Sequence, residues 1–495
     1  MILLLRRLAV AVAAAAAAGA AASSAAKPSS SGSNGVHLSI GNLPGDMVVS
    51  WSTEEPGQVG AVRFGRSPSQ LTSVVQAASS TLANNEVAAG PYHAPAPWRN
   101  ISVHHATIPN PGIAAGMPVF YQVFNPAETP GARAAPEQSI TIFNYTAGKL
   151  PHGRPGPVSF AVFGDLAVKE QDGANYTLSR LKQHLRQGSF DAVLHVGDVA
   201  YDLRQNLGRT GDEFLQDMEP VASAVPYLTC PGNHERDCVN NVTLAPEGSC
   251  GDPQYTNYRA RFAMPRPAPF QRRAPLHWSA TIGHAHVISL NTDLWILPGK
   301  ASPAVAAAIA EQLHWLEADL KAAAANRQQA PWLIVIGHEM LYTTHDAGHQ
   351  SQAAILRASG LERLFHDYGV DLFFSGHEHV YEHFARIYQG APCTTAAQAG
   401  TKCGLLGRCP CTAYIVVGNA GNREFPYHDK AGNIVKFAYP QPTWEHFRST
   451  SPAGFGLLDV PNASTIVWRQ FNARTGGVID SHVYHRSPTQ LLYQG

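Results

Sequence analysis

An all-β domain followed by a larger α/β domain is the architecture predicted for this chain, on three observations. From Val36, short alternating segments (VHLSI, MVVSW, VRFG, VFYQVF, SITIF) are separated by Pro, Gly and Asn, the period-two text of a β-sandwich, as far as about residue 148. Beyond the proline-rich stretch KLPHGRPGP at 149–157, apolar strand-like runs alternate with helical periods, the mark of an α/β unit. Five of those runs end at or near a glycine followed by a polar cluster, where α/β proteins assemble their sites. A length of 495 residues suits two such units and a leader.

The leader is predicted over residues 1–26: Arg6 and Arg7, an apolar run from Leu8 to Ala22, then small residues through Ala26. That run is shorter than the roughly 20 residues that cross a bilayer. Residues 27–35, rich in Ser and Gly, are expected to be flexible. The β-sandwich follows over 36–148, a linker over 149–157 and the α/β domain over 158–488. In the latter, Leu178, Leu181 and Leu185 fall on one helical face and Ile309, Leu313, Leu316 and Leu320 on another, so these are core. The segments FGLLDV, STIVWRQF and VIDSHVYH return to strand text and are expected to complete a sheet of the second domain.

Five Asn-x-Ser/Thr sequons, at Asn100, Asn144, Asn175, Asn241 and Asn462, fit secretion and glycosylation. Cysteines agree, since Cys238 and Cys250 can close one loop while Cys393, Cys403, Cys409 and Cys411 crowd another. Cys230 is left as a buried, inert thiol. Lys plus Arg (36) equals Asp plus Glu (36), which excludes the strong positive field that nucleic-acid or anionic-membrane binding needs.

The five runs are Val158–Phe163 before Asp165, Phe190–Val196 before Asp198, Val225–Thr229 before Asn233, Trp332–Ile336 before His338, and Val370–Phe374 before His377. With His379 and Tyr201, these blocks offer two Asp, one Asn, three His and one Tyr, hard oxygen and imidazole donors suited to iron, zinc or manganese. Seven donors would crowd one ion. Two ions sharing a bridging carboxylate accommodate them and leave positions for water and substrate. A phenol oxygen in such a set points to trivalent iron.

The blocks GDLA at 164, GDVAY at 197, GNHE at 232, VIGH at 335 and GHEH at 376 resemble, in order and spacing, those of the purple acid phosphatases within the calcineurin-like metallophosphoesterases. The resemblance runs from about residue 36 to 485 and includes YRARFAMP at 258–265. It implies an α/β catalytic domain of two mixed sheets in a β-sandwich core flanked by helices, preceded by a fibronectin-III-like domain. It also implies that Asp165, Tyr201 and His379 hold Fe(III), that Asn233, His338 and His377 hold a divalent Zn, Mn or Fe, and that Asp198 bridges the two. Ala167 stands where the wider superfamily carries a ligand histidine, so Tyr201 takes over as donor.

The activity implied is that of a metal-dependent acid phosphatase, in which metal-bound hydroxide attacks a phosphate monoester. His234 would lie close to the phosphate. His345 and His349, in the loop HEMLYTTHDAGHQ, are the candidates to stabilise charge or protonate the leaving group. The adjacent histidine pair of plant relatives is absent from that loop. The expected partner is a small phosphate monoester, with no nucleic acid and no membrane span, and a homodimer is admitted. The expected location is extracellular, cell wall or vacuole. Two other readings are a secreted phosphodiesterase on the same scaffold and a non-catalytic glycoprotein that binds through its β domain.

Glu235 and Glu378, beside ligands, are expected to orient them, and Asp202 is a further candidate for that role. His284 and His286 mimic the His377/His379 pair but lack an acidic partner block, and His104 and His105 lie in the β domain; all four are read as surface or satisfied core histidines.

Overall fold

The computed structural model describes residues 33–85, 98–110, 112–127, 141–236, 255–265, 276–297, 302–393, 411–424 and 437–486. The expected leader, Asn241, Cys238, Cys250, Cys403 and Cys409 lie outside them.

In the N-terminal part, Ser33–Ile40, Met47–Thr53, Trp98–Ile108 and Ala78–Asn85 pair in that order in one antiparallel sheet. Ser73–Gln76, Ala61–Gly65, Pro118–Phe124 and Phe143–Thr146 form a second. Alternate residues of both, among them Val36, Leu38, Val49, Trp51, Val62, Val119 and Tyr121, close on one core. The first strand starts at Ser33, inside the stretch expected to be flexible. Its order is tertiary: the Val36 amide donates to Glu219 Oε2 at 2.9 Å, and the strand packs on the helix Arg209–Ala222.

Further contacts tie this sandwich to the rest. Arg99 joins Glu54 of the sandwich to Asp212 of the C-terminal part at 2.7 and 2.6 Å, and Arg261 also bonds Asp212 at 2.6 Å.

The C-terminal part holds two sheets face to face. One has the order Tyr227–Thr229, Ala192–His195, Val158–Phe163, Gly454–Asn462, Thr465–Asn472, Val478–His485; its first three strands are parallel and the C-terminal three antiparallel. The predicted closing strands are therefore present. The other runs Trp278–Ile282, Ala285–Ser289, Trp332–Ile336, Leu372–Ser375, Thr412–Val417, Tyr381–Tyr388, with Ala391–Pro392 and Glu445–Ser449 pairing on the last.

Phe160, Val162, Leu194, Ile334, Ile336, Phe374, Ile415, Leu458 and Trp468 fill the space between the sheets. Helices Ala174–Arg186 and Arg209–Ala222 cover the outer face of the first, and Pro303–Ala325, Ala347–Ala358 and Leu361–Tyr368 that of the second. Burial on both faces explains why the strand text is continuous rather than alternating, as in Trp332–Ile336. Leu178, Leu181, Leu316 and Leu320 are buried, with Leu185, Ile309 and Leu313 partly so. Cys393 and Cys411 form a disulfide, and Cys230 is a buried thiol.

Candidate metal centre

The five blocks follow strand ends contributed by both sheets, three from the six-stranded sheet and two from the larger one. Leaving the strand, Asp165, Asp198, Tyr201 and His377 adopt positive φ values of 63°, 54°, 52° and 68°. Each such residue costs about 1–2 kcal/mol. Their concentration here reflects turns that aim side chains inward rather than continue a strand. Glycine is required beside two of them, because a Cβ on Gly376 would overlap Asp165 Oδ2 and one on Gly232 would overlap Asp198 Oδ1.

Two clusters of donor atoms result. In the first, the Tyr201 hydroxyl lies 3.1 Å from Asp165 Oδ1 and 2.6 Å from His379 Nε2, which is 3.3 Å from Asp165 Oδ1. In the second, His338 Nε2 and His377 Nδ1 both face Asn233 Oδ1, at 3.0 and 2.8 Å. Asp198 Oδ2 is 3.2 Å from His338 Nε2, and Asp198, His338 and His377 bring donor atoms within 4.8 Å of one another.

These residues fit metal ions. The nitrogen His338 Nδ1 bonds the Val196 carbonyl at 2.9 Å, so in the neutral ring Nε2 is a lone pair aimed at two oxygen acceptors. Such an arrangement needs a cation in its midst. Burial disfavours the imidazolium of His338, yet the carboxylates of Asp198 and Asp165 hold its pKa well above the usual value, so the site draws positive charge. Burial raises the pKa of Asp165, and it drives that of His377 well below the ordinary range, helped by His349 and His338.

Around these atoms lies a set of fixed partners. Glu235 accepts the amides of Asp198, Val199 and Gly232 at 2.9, 2.9 and 2.8 Å and so welds the second block to the third. His234 bonds Asp202 Oδ1 through Nδ1 at 2.6 Å, and its ring lies 4.2 Å from that of Tyr201. Glu378 binds Nδ1 of both His345 and His349, at 2.7 and 2.8 Å. His345 is buried, whereas the His349 side chain is about a quarter exposed. The ring of His349 lies 4.8 Å from His377.

The four decoy histidines are accounted for otherwise. His286 bonds Thr281 and Asp319, His104 bonds Thr53 and Ser79, and His105 bonds Ser50 and the Ala260 carbonyl. Half-buried His284 belongs to no metal-ligating group among the described residues.

Comparison with known proteins agrees with the geometry. Residues 158–381 match the family model described as calcineurin-like phosphoesterase, 411–481 that of iron/zinc purple acid phosphatase-like protein C, and 33–141 that of the purple acid phosphatase N-terminal domain. Acid phosphatase type 7 of Mus musculus is 33% identical over 362 residues, 71% of either chain. The chain belongs to the purple acid phosphatase family. The acid phosphatase type 7 of Danio rerio is 31% identical over 461 residues, 90% of this chain and 89% of that one. The structure of a purple acid phosphatase from yellow lupin seeds shares the fold, at TM-score 0.67 and 22% identity, covering 93% of this chain and 76% of the lupin chain. This purple acid phosphatase is accordingly a metal-dependent phosphatase, with an all-β domain before an α/β metallophosphoesterase domain.

Sequence reasoning missed one neighbour of the phosphatase centre. Asn422 Nδ2 donates to the Tyr201 hydroxyl oxygen at 3.0 Å and to the Asp165 carbonyl at 3.1 Å. A signal was there: TAYIVV at 412–417 is a sixth buried run, ending at Gly418 and followed by Asn419 and Asn422.

The His345 loop rests on two buried carboxylates. The Thr344 hydroxyl lies 2.6 Å from Glu382 Oε1 and 3.1 Å from Glu445 Oε1, and its amide bonds Glu382 at 2.7 Å. Burial first, and for Glu445 then the charge of Glu382, hold both above the ordinary carboxylate range. The folded state therefore keeps protons that the unfolded chain releases near pH ~4.3. Stability is fully present below that pH and falls as pH rises through the raised folded values. We expect Glu445→Gln to flatten the decline in Tm between pH 5 and pH 8. An unchanged slope would remove the pair as its source.

Proposed function

We propose that this purple acid phosphatase is secreted and hydrolyses phosphate monoesters at acidic pH with a binuclear centre of Fe(III) and a divalent Zn, Mn or Fe. The observation that carries the reading is the convergence of the Tyr201 hydroxyl with Asp165 and His379 beside the Asn233, His338 and His377 cluster. In this assignment Asp165, Tyr201 and His379 hold the iron, Asn233, His338 and His377 the divalent ion, and Asp198 is shared. When bound, the two ions supply an activated water and the positive charge that polarises the phosphate.

The protein's own groups do the rest. Asp202 fixes the His234 ring, whose Nε2 stands 3.8 Å from Asp198 Oδ2, placing it to donate to a phosphate oxygen. Glu378 anchors Nδ1 of His345 and His349, which makes Nε2 the atom that carries a proton to the leaving alkoxide. His349 is the better placed for this step, being partly exposed and with its ring 4.8 Å from that of His377. Burial works against its charged form, but Glu378 outweighs that and raises its pKa, so it is protonated in acid.

Secretion is supported by four sequon asparagines, Asn100, Asn144, Asn175 and Asn462, which are exposed. We assign residues 1–26 as a removable leader, 36–148 as the β domain, 149–157 as a linker and 158–488 as the catalytic domain. The test joins metal analysis and a visible spectrum to a pH profile on phosphomonoesters and phosphodiesters. A coloured protein with iron and an acidic optimum on monoesters is expected. A colourless, fully metallated protein would sink the iron–tyrosinate assignment, and faster turnover of diesters would favour the phosphodiesterase.

A further inference from the structure

A second cluster of imidazoles lies away from the phosphatase centre, on the rim where its two sheets meet. His383 sits in Tyr381–Tyr388 and His446 in the neighbouring strand Glu445–Ser449, both of the larger sheet; His482 sits in the edge strand Val478–His485 of the other. The ring centroids of His383 are 5.1 Å from His446 and 5.2 Å from His482, and the latter two stack at 4.9 Å. Each ring offers a nitrogen within 4.8 Å of the others. Period-two geometry puts Asp480, His482 and Tyr484 on one face of the edge strand, towards His383.

The partners of these rings are those of a ligand set. Asp480 Oδ2 bonds His383 Nδ1 at 2.7 Å, the carboxylate–histidine arrangement that fixes the tautomer and leaves Nε2 as the lone pair. That lone pair accepts the Tyr484 hydroxyl at 2.7 Å, a neutral hydrogen bond that a metal ion would replace. His383 is buried, His482 half-buried and His446 exposed, so the cluster is anchored on one side and open to solvent on the other. The Arg386 guanidinium lies 5.7 Å from the Tyr484 ring centroid.

We infer that His383, His446 and His482 form a second metal site that takes one borderline divalent ion of the zinc type, with water in the open position. Three imidazoles without thiolate or a clustered set of carboxylates suit such an ion rather than calcium or magnesium. Donors now within 4.8 Å must close to the spacing set by zinc–nitrogen bonds of about 2.0–2.1 Å, which side-chain rotation of exposed His446 can supply. The bound ion pins the edge strand Val478–His485 to the opposite sheet, so it stabilises the fold in proportion to its concentration and takes no part in hydrolysis.

The test uses the full, tag-free, metal-loaded phosphatase dialysed against zinc at pH 7, alongside His446→Ala and His482→Gln. Wild type is expected to carry one more zinc per chain than either variant and to gain Tm with added zinc, while the variants gain none and turn over substrate as wild type does. Because His446 is exposed, its removal leaves the fold intact. Equal zinc content in wild type and His446→Ala, or an equal zinc-dependent gain in Tm, would overturn the site.

Discussion

Asp198→Asn is expected to empty both proposed metal positions of the phosphatase centre and to lower kcat/KM by about 10³-fold or more, since metal catalysis is worth several kcal/mol and each ten-fold in rate is about 1.4 kcal/mol. Asparagine keeps the size of the side chain and can still accept the His234 amide, which reaches Asp198 Oδ1 at 3.0 Å. The loop is thus preserved. What disappears is the charge of a fully enclosed carboxylate that faces His338 Nε2 at 3.2 Å and, in the proposed ligand set, serves both ions. Asp202→Asn is the informative contrast, because it weakens only the hold on His234 and should cost about 10–100-fold with metals retained, the usual effect of a group that orients an active residue. Metal analysis and steady-state kinetics on both variants decide the matter. If Asp198→Asn kept two metals and turned over within ten-fold of wild type, the shared-carboxylate assignment would fail.

How much of this was legible without coordinates follows from how local each feature is. The five converging blocks were readable because each lies within a few residues of a strand buried on both faces, and a continuous apolar run ending in Gly is a short-range signal. Tyr201 was readable for the same reason, three residues after Asp198. The proposed orienting role of Glu235 and Glu378 has a geometric counterpart, since Glu235 gathers three amides and Glu378 holds His345 and His349. The division of the five blocks between two sheets was not readable from strand text. It depends on the C-terminal strands Gly454–Asn462, Thr465–Asn472 and Val478–His485 joining the first sheet after some 300 residues of intervening chain.

Other features are set by long-range register alone. Order at Ser33 requires Glu219, and Asn422 reaches Asp165 and Tyr201 across more than 200 residues. His383, His446 and His482 meet only because Tyr381–Tyr388 pairs with Glu445–Ser449 while the edge strand of the facing sheet ends beside them. No spacing rule within one element could have joined those three.

Tyr201→Phe is expected to bleach the protein and move its pH optimum upward. The ring is fully buried and lies 4.2 Å from His234, so phenylalanine preserves the packing. The lost hydroxyl accepts Asn422 Nδ2 at 3.0 Å, but that amide also bonds the Asp165 carbonyl at 3.1 Å and is not left unsatisfied. The structural cost is therefore about 1 kcal/mol. At the proposed iron position the consequence is larger, because Asp165 and His379 remain while the phenol oxygen of the proposed set goes. With one anionic donor fewer, the position holds a trivalent ion poorly and accepts a divalent one, which polarises water less and so needs a higher pH to work. Iron content should fall, the visible absorption should vanish, and zinc or manganese should restore part of the activity at the shifted optimum. Colour retained in Tyr201→Phe would show that another residue supplies the phenolate, and an unmoved optimum after zinc loading would separate the acid-pH activity from the trivalent ion.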